Sequence, residues 1–165
     1  MPSIMITGVS SGIGEASAEK FAAEGWTVVG TVRNPARFMR EWSGDVSLVP
    51  LELGTLGSPR AAAEAAMDRL GGAPDVLLNN AGTVLFGAVE ETADRWRDVF
   101  EVNLFAQMDL IEAMLPAMRE PVRLREKAGY VRIIPHGHDR EATSVFRSRV
   151  RRAALEGAQS TCPAS

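Results

Sequence analysis

Residues 7–14 read Thr-Gly-Val-Ser-Ser-Gly-Ile-Gly and directly follow a short apolar run, Ile4-Met5-Ile6. A strand that stops in a glycine turn and then becomes a helix leaves unpaired backbone N–H groups aimed at one spot. The positive end of the helix dipole points there as well, so the spot favours a phosphate. Gly8 allows the sharp turn, Gly12 lets the backbone approach a diphosphate, and Gly14 lets the helix lie close to the strand. An ordinary glycine turn would share the spacing. The strand before it and the amphipathic helix after it point instead to dinucleotide binding. A second polar group, Asn79-Asn80-Ala81-Gly82, follows Asp75-Val-Leu-Leu78. Amides and small residues at a strand end can pin neighbouring strands and leave room for a flat ring, although alone they make only a turn.

Charge at the end of the second strand bears on the choice of nucleotide. In dinucleotide folds, an acidic residue about 20 positions past the glycines bonds both ribose hydroxyls and repels a 2′-phosphate. Here that stretch reads Thr31-Val32-Arg33-Asn34 and holds no carboxylate. Arg33 is suited to charge-assisted bonds with a phosphate. The alternative is a surface arginine without a ligand. The expectation is NADP(H) in preference to NAD(H).

The elements that must position these groups alternate along the first 120 residues. Strands are expected at Thr27–Val32, Val46–Leu51 and Asp75–Leu78, all short, apolar and largely β-branched, as buried parallel strands are. Gly14, Ala18, Phe21, Ala22 and Gly25 recur at helical spacing and are expected to face the sheet. Ser58-Pro59 opens the next helix with a capping residue and a first-turn proline, Ala61–Leu70 forms its body, and Gly71-Gly72 closes it. A third helical region runs from about Thr92 to Arg119 with an interruption near Asn103. Strands separated by helices imply βαβ units and an α/β, Rossmann-like, doubly wound parallel sheet. Ligands of such sheets sit at the carboxyl ends of the strands where strand order reverses.

Three motifs in order, Thr-Gly-x-x-x-Gly-x-Gly (7–14), Asn-Asn-Ala-Gly (79–82) and Asn103 within Phe100-Glu-Val-Asn-Leu, resemble the short-chain dehydrogenase/reductase family over roughly residues 2–119. Gly87 and the stretch Trp96–Met118 look like that family too. The resemblance implies an NAD(P)-dependent oxidoreductase exchanging hydride between the nucleotide and a small carbonyl or alcohol. It implies nucleotide contacts from Thr7, Gly8, Ser10, Ser11, Gly12, Ile13 and Gly14 around the diphosphate. Arg33, Glu52 and Leu53 would lie toward the adenosine, and Asn80, Ala81 and Gly82 along its ribose and the sheet centre. Asn103 would distort its helix so that a backbone carbonyl holds a water of the proton relay; the plainer reading is a solvated helical residue. No metal is implied. The helix at 104–118 resembles a family dimer element, so a homo-oligomer is expected through it.

The family's proton donor is a tyrosine, with a lysine four residues later lowering its pKa and a serine upstream orienting the carbonyl. Hydride transfer to a carbonyl develops an alkoxide that must receive a proton. This sequence has one tyrosine, Tyr130, followed four residues later by Ile134, and its two lysines are Lys20 and Lys127. Gly129–Ile134 is expected as a fifth strand, which places the serine site near Pro135 or His136. The stretch Ala153–Gly157 resembles the segment just after the family lysine, which puts Ser148 and Arg152 at the tyrosine and lysine positions. Serine is a poor acid and arginine keeps only a hydrogen-bonding role. His136 titrates near neutrality, yet a solvated basic loop is the plainer setting for it. Of the catalytic positions, Asn103 alone is retained, so impaired catalysis is expected, with a non-catalytic nucleotide-binding chain as the alternative.

The rest bounds the class. A length of 165 residues suits one domain, and no apolar run reaches the ~20 residues of a membrane span. The N-terminus lacks a signal-peptide pattern, and the single cysteine, Cys162, fits a reducing compartment, so cytoplasm is expected. The net charge of −3 conceals a division at residue 120. Residues 121–165 carry nine Lys/Arg against four Asp/Glu, and both histidines. The organisation expected is a nucleotide-binding domain over 1–120 and a divergent basic tail over 121–165 with one further strand and one helix, the substrate-binding part missing. A basic tail without interleaved aromatics supports nucleic-acid binding only weakly, and none is expected.

Overall fold

The computed structural model describes residues 1–92, 95–125 and 130–133. The strands are β1 (Ser3–Ile6), β2 (Thr27–Val32), β3 (Val46–Pro50), β4 (Val76–Asn79) and β5 (Tyr130–Ile133). All pair in parallel in one sheet ordered β3-β2-β1-β4-β5. From β1 the chain steps outward through β2 to β3, then returns to place β4 on the other side of β1. The order therefore reverses between β1 and β4, at the end of the glycine strand.

Strands β1, β2 and β4 are covered on both faces, which explains their uninterrupted apolar runs. Ile4, Ile6, Val28, Val32 and Leu78 pack with Ala18, Phe21 and Ala22 of α1 (Gly12–Ala23) on one side. Met5, Val29, Val49 and Leu77 point to the other side, against α2 (Ser58–Leu70) and α5 (Ala106–Arg125). Adjacent residues in each strand thus belong to different cores, as the period of two requires.

Two local expectations change. Gly25 does not face the sheet. It is exposed in the turn into β2 with φ +82°, a left-handed conformation that favours glycine there. Ser58 does not cap α2 either. It is the first helical residue after Gly57, and its hydroxyl instead accepts the Glu52 N–H at 2.9 Å. Gly71, at φ +66°, closes α2 as expected.

The third helical region is broken where it was expected to be. Short helices α3 (Val89–Thr92) and α4 (Arg95–Phe100) lead into a π-helical stretch at Glu101–Phe105, which contains Asn103 and continues as α5. Such wide turns rotate the side chains before and after them relative to one another. Leu110 is fully buried beneath α5, whereas Leu104 is 42% exposed. Leu110→Ala should cost about 2–5 kcal/mol, while Leu104→Ala should cost under about 1 kcal/mol, both read by urea unfolding. Among the described residues no helix is long and apolar enough to cross a membrane.

Candidate nucleotide site

The glycine loop stands at the carboxyl end of β1, beside the end of β4. Strand pairing carries on into the turn through Thr7 N–H, which donates to the Leu78 carbonyl at 3.0 Å. The Thr7 hydroxyl oxygen, fully buried, accepts the N–H groups of Asn80 and Ala81, both at 2.9 Å. In return Asn80 Nδ2 donates to the carbonyls of Thr7 at 2.9 Å and Gly8 at 3.2 Å. Four bonds therefore lock the two motifs together, and the pinning role read from the amides is what the geometry displays.

Thr31, buried in β2, supplies a second anchor that the sequence did not announce. Its hydroxyl accepts the Gly8 N–H at 3.0 Å, and its carbonyl accepts the Val9 N–H at 2.9 Å. Those two amides are thus committed to the scaffold. A threonine within a β-branched strand carries no signal separating it from its neighbours. What Gly8 contributes is its turn, at φ +73°, and a close approach: a Cβ there would lie 2.9 Å from the Ala81 Cβ. Gly14 is buried against the turn, where a Cβ would overlap the Gly8 carbonyl oxygen and come within 2.5 Å of Asn80 Nδ2.

An anion is left with the start of α1. The first-turn N–H groups of a helix have no acceptor within it, and Ser11, at the capping position, makes no side-chain bond to them. Ser10, Ser11 and Gly12 are exposed, and Ile13 is half-buried. Gly12, at φ +61°, has nothing within 4 Å of the place a Cβ would occupy. An uncapped helix end beside open space, with the dipole directed outward, fits a diphosphate group.

The remaining expected residues fall around this centre. Arg33 lies exposed immediately beyond the carboxyl end of β2, without an ion-pair partner among the described residues. Glu52 is exposed after β3, while the Leu53 side chain is buried in the core with Ala62 and Ala66. Gly82 is half-buried after Asn80 and Ala81.

Asn103 is not merely a solvated helical residue. Its Oδ1 accepts the Thr83 N–H at 2.8 Å and its Nδ2 donates to the Thr83 carbonyl at 2.7 Å, clamping the chain that leaves the amide motif. Gln107, buried one turn further along, adds a bond from Nε2 to the Ala81 carbonyl at 2.8 Å. Sequence reasoning missed Gln107; its only mark was a polar residue on an otherwise apolar helix face. Asn79 is also buried, and its side-chain amide has no hydrogen-bond partner among the described residues. The positions Pro135, His136, Ser148 and Arg152 lie outside the described residues, as does the expected tail helix. No group of three or more His, Cys, Asp or Glu side chains suited to a metal occurs among the described residues.

A parallel sheet with its order reversing at a glycine turn, and a helix end open to a diphosphate, define a dinucleotide-binding α/β protein. The short chain dehydrogenase family model matches residues 2–134, and the chain belongs to that family. An uncharacterized oxidoreductase of Mycobacterium tuberculosis is 34% identical over 129 residues, covering 71% of this chain and 38% of that protein. L-sorbose reductase from Gluconobacter frateurii, solved with NADPH and L-sorbose, superposes with a TM-score of 0.65 at 32% identity over 73% of this chain and 48% of its own. An NADH-dependent reductase of alginate metabolism gives a TM-score of 0.69 at 25% identity, over 79% of this chain and 56% of its own. The chain thus spans between 38% and 56% of the length of these proteins.

Proposed function

We propose that this chain binds NADP(H) at the start of α1 and that its inherited reaction is hydride exchange with a small carbonyl or alcohol. The observation that carries the reading is the uncapped α1 terminus with open space at Gly12, held in place by the Thr7–Asn80 lock. The nicotinamide, when bound, supplies or accepts the hydride. The N–H groups from Ser10 to Gly14 hold the diphosphate, Arg33 meets the 2′-phosphate, and Glu52 borders the adenine. Asn103 and Gln107 fix the chain at Ala81–Thr83, which lines the inner end of the site. Two relatives divide on the nucleotide, one solved with NADPH and one described as NADH-dependent. The absence of a carboxylate at 31–34 supports NADPH for this chain.

Proton transfer is where this chain departs from its family. Without Tyr-x-x-x-Lys in the sequence, the alkoxide has no matched acid, a loss worth about 10²–10⁴ in rate. The proposal is therefore a nucleotide-binding chain with impaired turnover. Its lone cysteine suits the reducing cytoplasm, and the exposed Leu104 and Met108 suit pairing with a second copy.

Titrating NADPH fluorescence against the purified chain tests binding, and a carbonyl panel on the same sample tests turnover. Saturable binding with barely measurable oxidation is expected; turnover at rates of ordinary enzymes, about 1–10³ per second, would refute the impairment. Arg33→Ala should weaken NADPH about tenfold, the scale of one charge-assisted bond, and leave NADH within about twofold. Equal weakening of both nucleotides would remove Arg33 from 2′-phosphate recognition.

A further inference from the structure

Residues 33–45, between β2 and β3, carry Arg33, Arg37 and Arg40 and are fastened to α1 along one line. Phe38 and Trp42 pack against the core under α1, their ring centroids 6.3 Å apart. Gly44 passes so near α1 that a Cβ on it would lie 2.5 Å from the Ala22 carbonyl oxygen. Arg40 completes the attachment. Its Nη1 pairs with Glu15, its Nη2 lies 3.6 Å from Glu19, and its guanidinium stacks 4.6 Å from the Trp42 ring centroid. The Ser43 hydroxyl donates to Glu19 and, with Arg40, holds that carboxyl below the usual carboxylate range.

The placement of the two acids gives this cluster its meaning. Glu15 lies in the first turn of α1, three residues after Gly12, and Glu19 one turn further. One helical turn is about 5.4 Å, within the screening length of about 8 Å in physiological salt. Bare carboxylates at that end would oppose any phosphate bound there. The next pair along, Lys20–Glu24 at 2.6 Å, neutralises itself. Arg33 and Arg37 make no ion pair among the described residues, so the one cation set against Glu15 and Glu19 there is Arg40, which offsets half of their combined charge.

We propose that Arg40 is a specificity-determining residue: by offsetting one of the two negative charges of Glu15 and Glu19, it weakens the field that the additional phosphate of NADPH would meet near Arg33. The inference rests on the nucleotide reading above. Arg40 touches neither the nucleotide nor the reacting atoms; it acts through the charge of the two acids and the tether on the segment that carries Arg33. NADH, with one phosphate fewer, depends on that offset less.

The test measures dissociation constants for NADPH and NADH by fluorescence titration, at low and high salt, on four full-length proteins. Arg40→Met keeps an apolar stem against Trp42 and removes the charge. It should weaken NADPH about fivefold and NADH less than twofold at low salt, with the gap narrowing as salt screens the acids. Arg40→Lys keeps the charge but loses the two-armed grip and the stacking on Trp42, so its NADPH affinity should fall between those of the parent and of Arg40→Met. Arg40→Met combined with Glu15→Gln and Glu19→Gln should regain the NADPH affinity, a recovery that a merely structural arginine would not give. Equal weakening of both nucleotides, no weakening, or no recovery in the triple variant overturns the proposal. A parent protein that binds neither nucleotide removes the site itself and the proposal with it. A parent that binds both equally removes only the Arg33 preference, and the differential response to Arg40→Met still decides.

Discussion

Gly14→Ala is expected to abolish saturable NADPH binding and to lower folding stability by about 1–3 kcal/mol. In an ordinary helix the same change would stabilise by up to about 1 kcal/mol. The sign reverses because the new methyl group meets backbone: the Gly8 carbonyl oxygen occupies its place, and Asn80 Nδ2 lies within 2.5 Å. Neither can swing aside as a flexible side chain would, since Asn80 Nδ2 is committed to the carbonyls of Thr7 and Gly8. The helix must retreat from the turn, and the first-turn N–H groups retreat with it. Gly12→Ala provides the contrast. Nothing lies within 4 Å of its added carbon, so the cost is the left-handed backbone at φ +61°, about 1–2 kcal/mol. Its NADPH affinity should nevertheless fall, because the methyl group enters the space offered to the diphosphate. Urea unfolding and fluorescence titration of both variants check this, and a Gly14→Ala protein as stable as its parent would show that helix and turn are not in contact.

Thr7→Val should be the most destabilising change of near-equal volume in the site, at about 2–6 kcal/mol. The hydroxyl oxygen accepts two N–H groups, from Asn80 and Ala81, at a fully buried position. Valine leaves both donors without a partner, and each orphaned buried donor costs about 1–3 kcal/mol. Thr7→Ser keeps the acceptor and removes one methyl group, so it should lose about 1 kcal/mol. The difference between the two variants in urea unfolding measures the lock itself. A valine variant within about 0.5 kcal/mol of the serine variant would mean that water reaches those amides.

The two effects differ in how far they were legible. Gly14 could be marked from spacing alone, because a glycine three residues into a helix after a strand has few other uses. The strands were legible for the same local reason. Burial on both faces demands apolar runs, and Thr27–Val32 formed the element those residues imply. The break near Asn103 was expected from family likeness, but the residue's grip on Thr83 was not, since the two lie twenty positions apart. The errors at Gly25 and Ser58 have one cause. Periodicity and capping rules describe a helix by itself, whereas Gly25 belongs to the turn into β2 and Ser58 is drawn to the Glu52 amide.

What the sequence determined on its own is the succession of strands and helices and the position of the glycine turn at the end of β1. Both depend on residues within one or two turns of each other, so pattern and glycine position suffice. Tertiary structure alone decided how the backbone amides around that turn are paired. Thr31 takes the Gly8 and Val9 N–H groups, Thr7 takes those of Asn80 and Ala81, and Arg40 covers the two acids of α1. Each is a competition between partners over 20 residues apart in the chain, and a hydrogen bond or ion pair forms with whichever group the packing brings within about 3–4 Å.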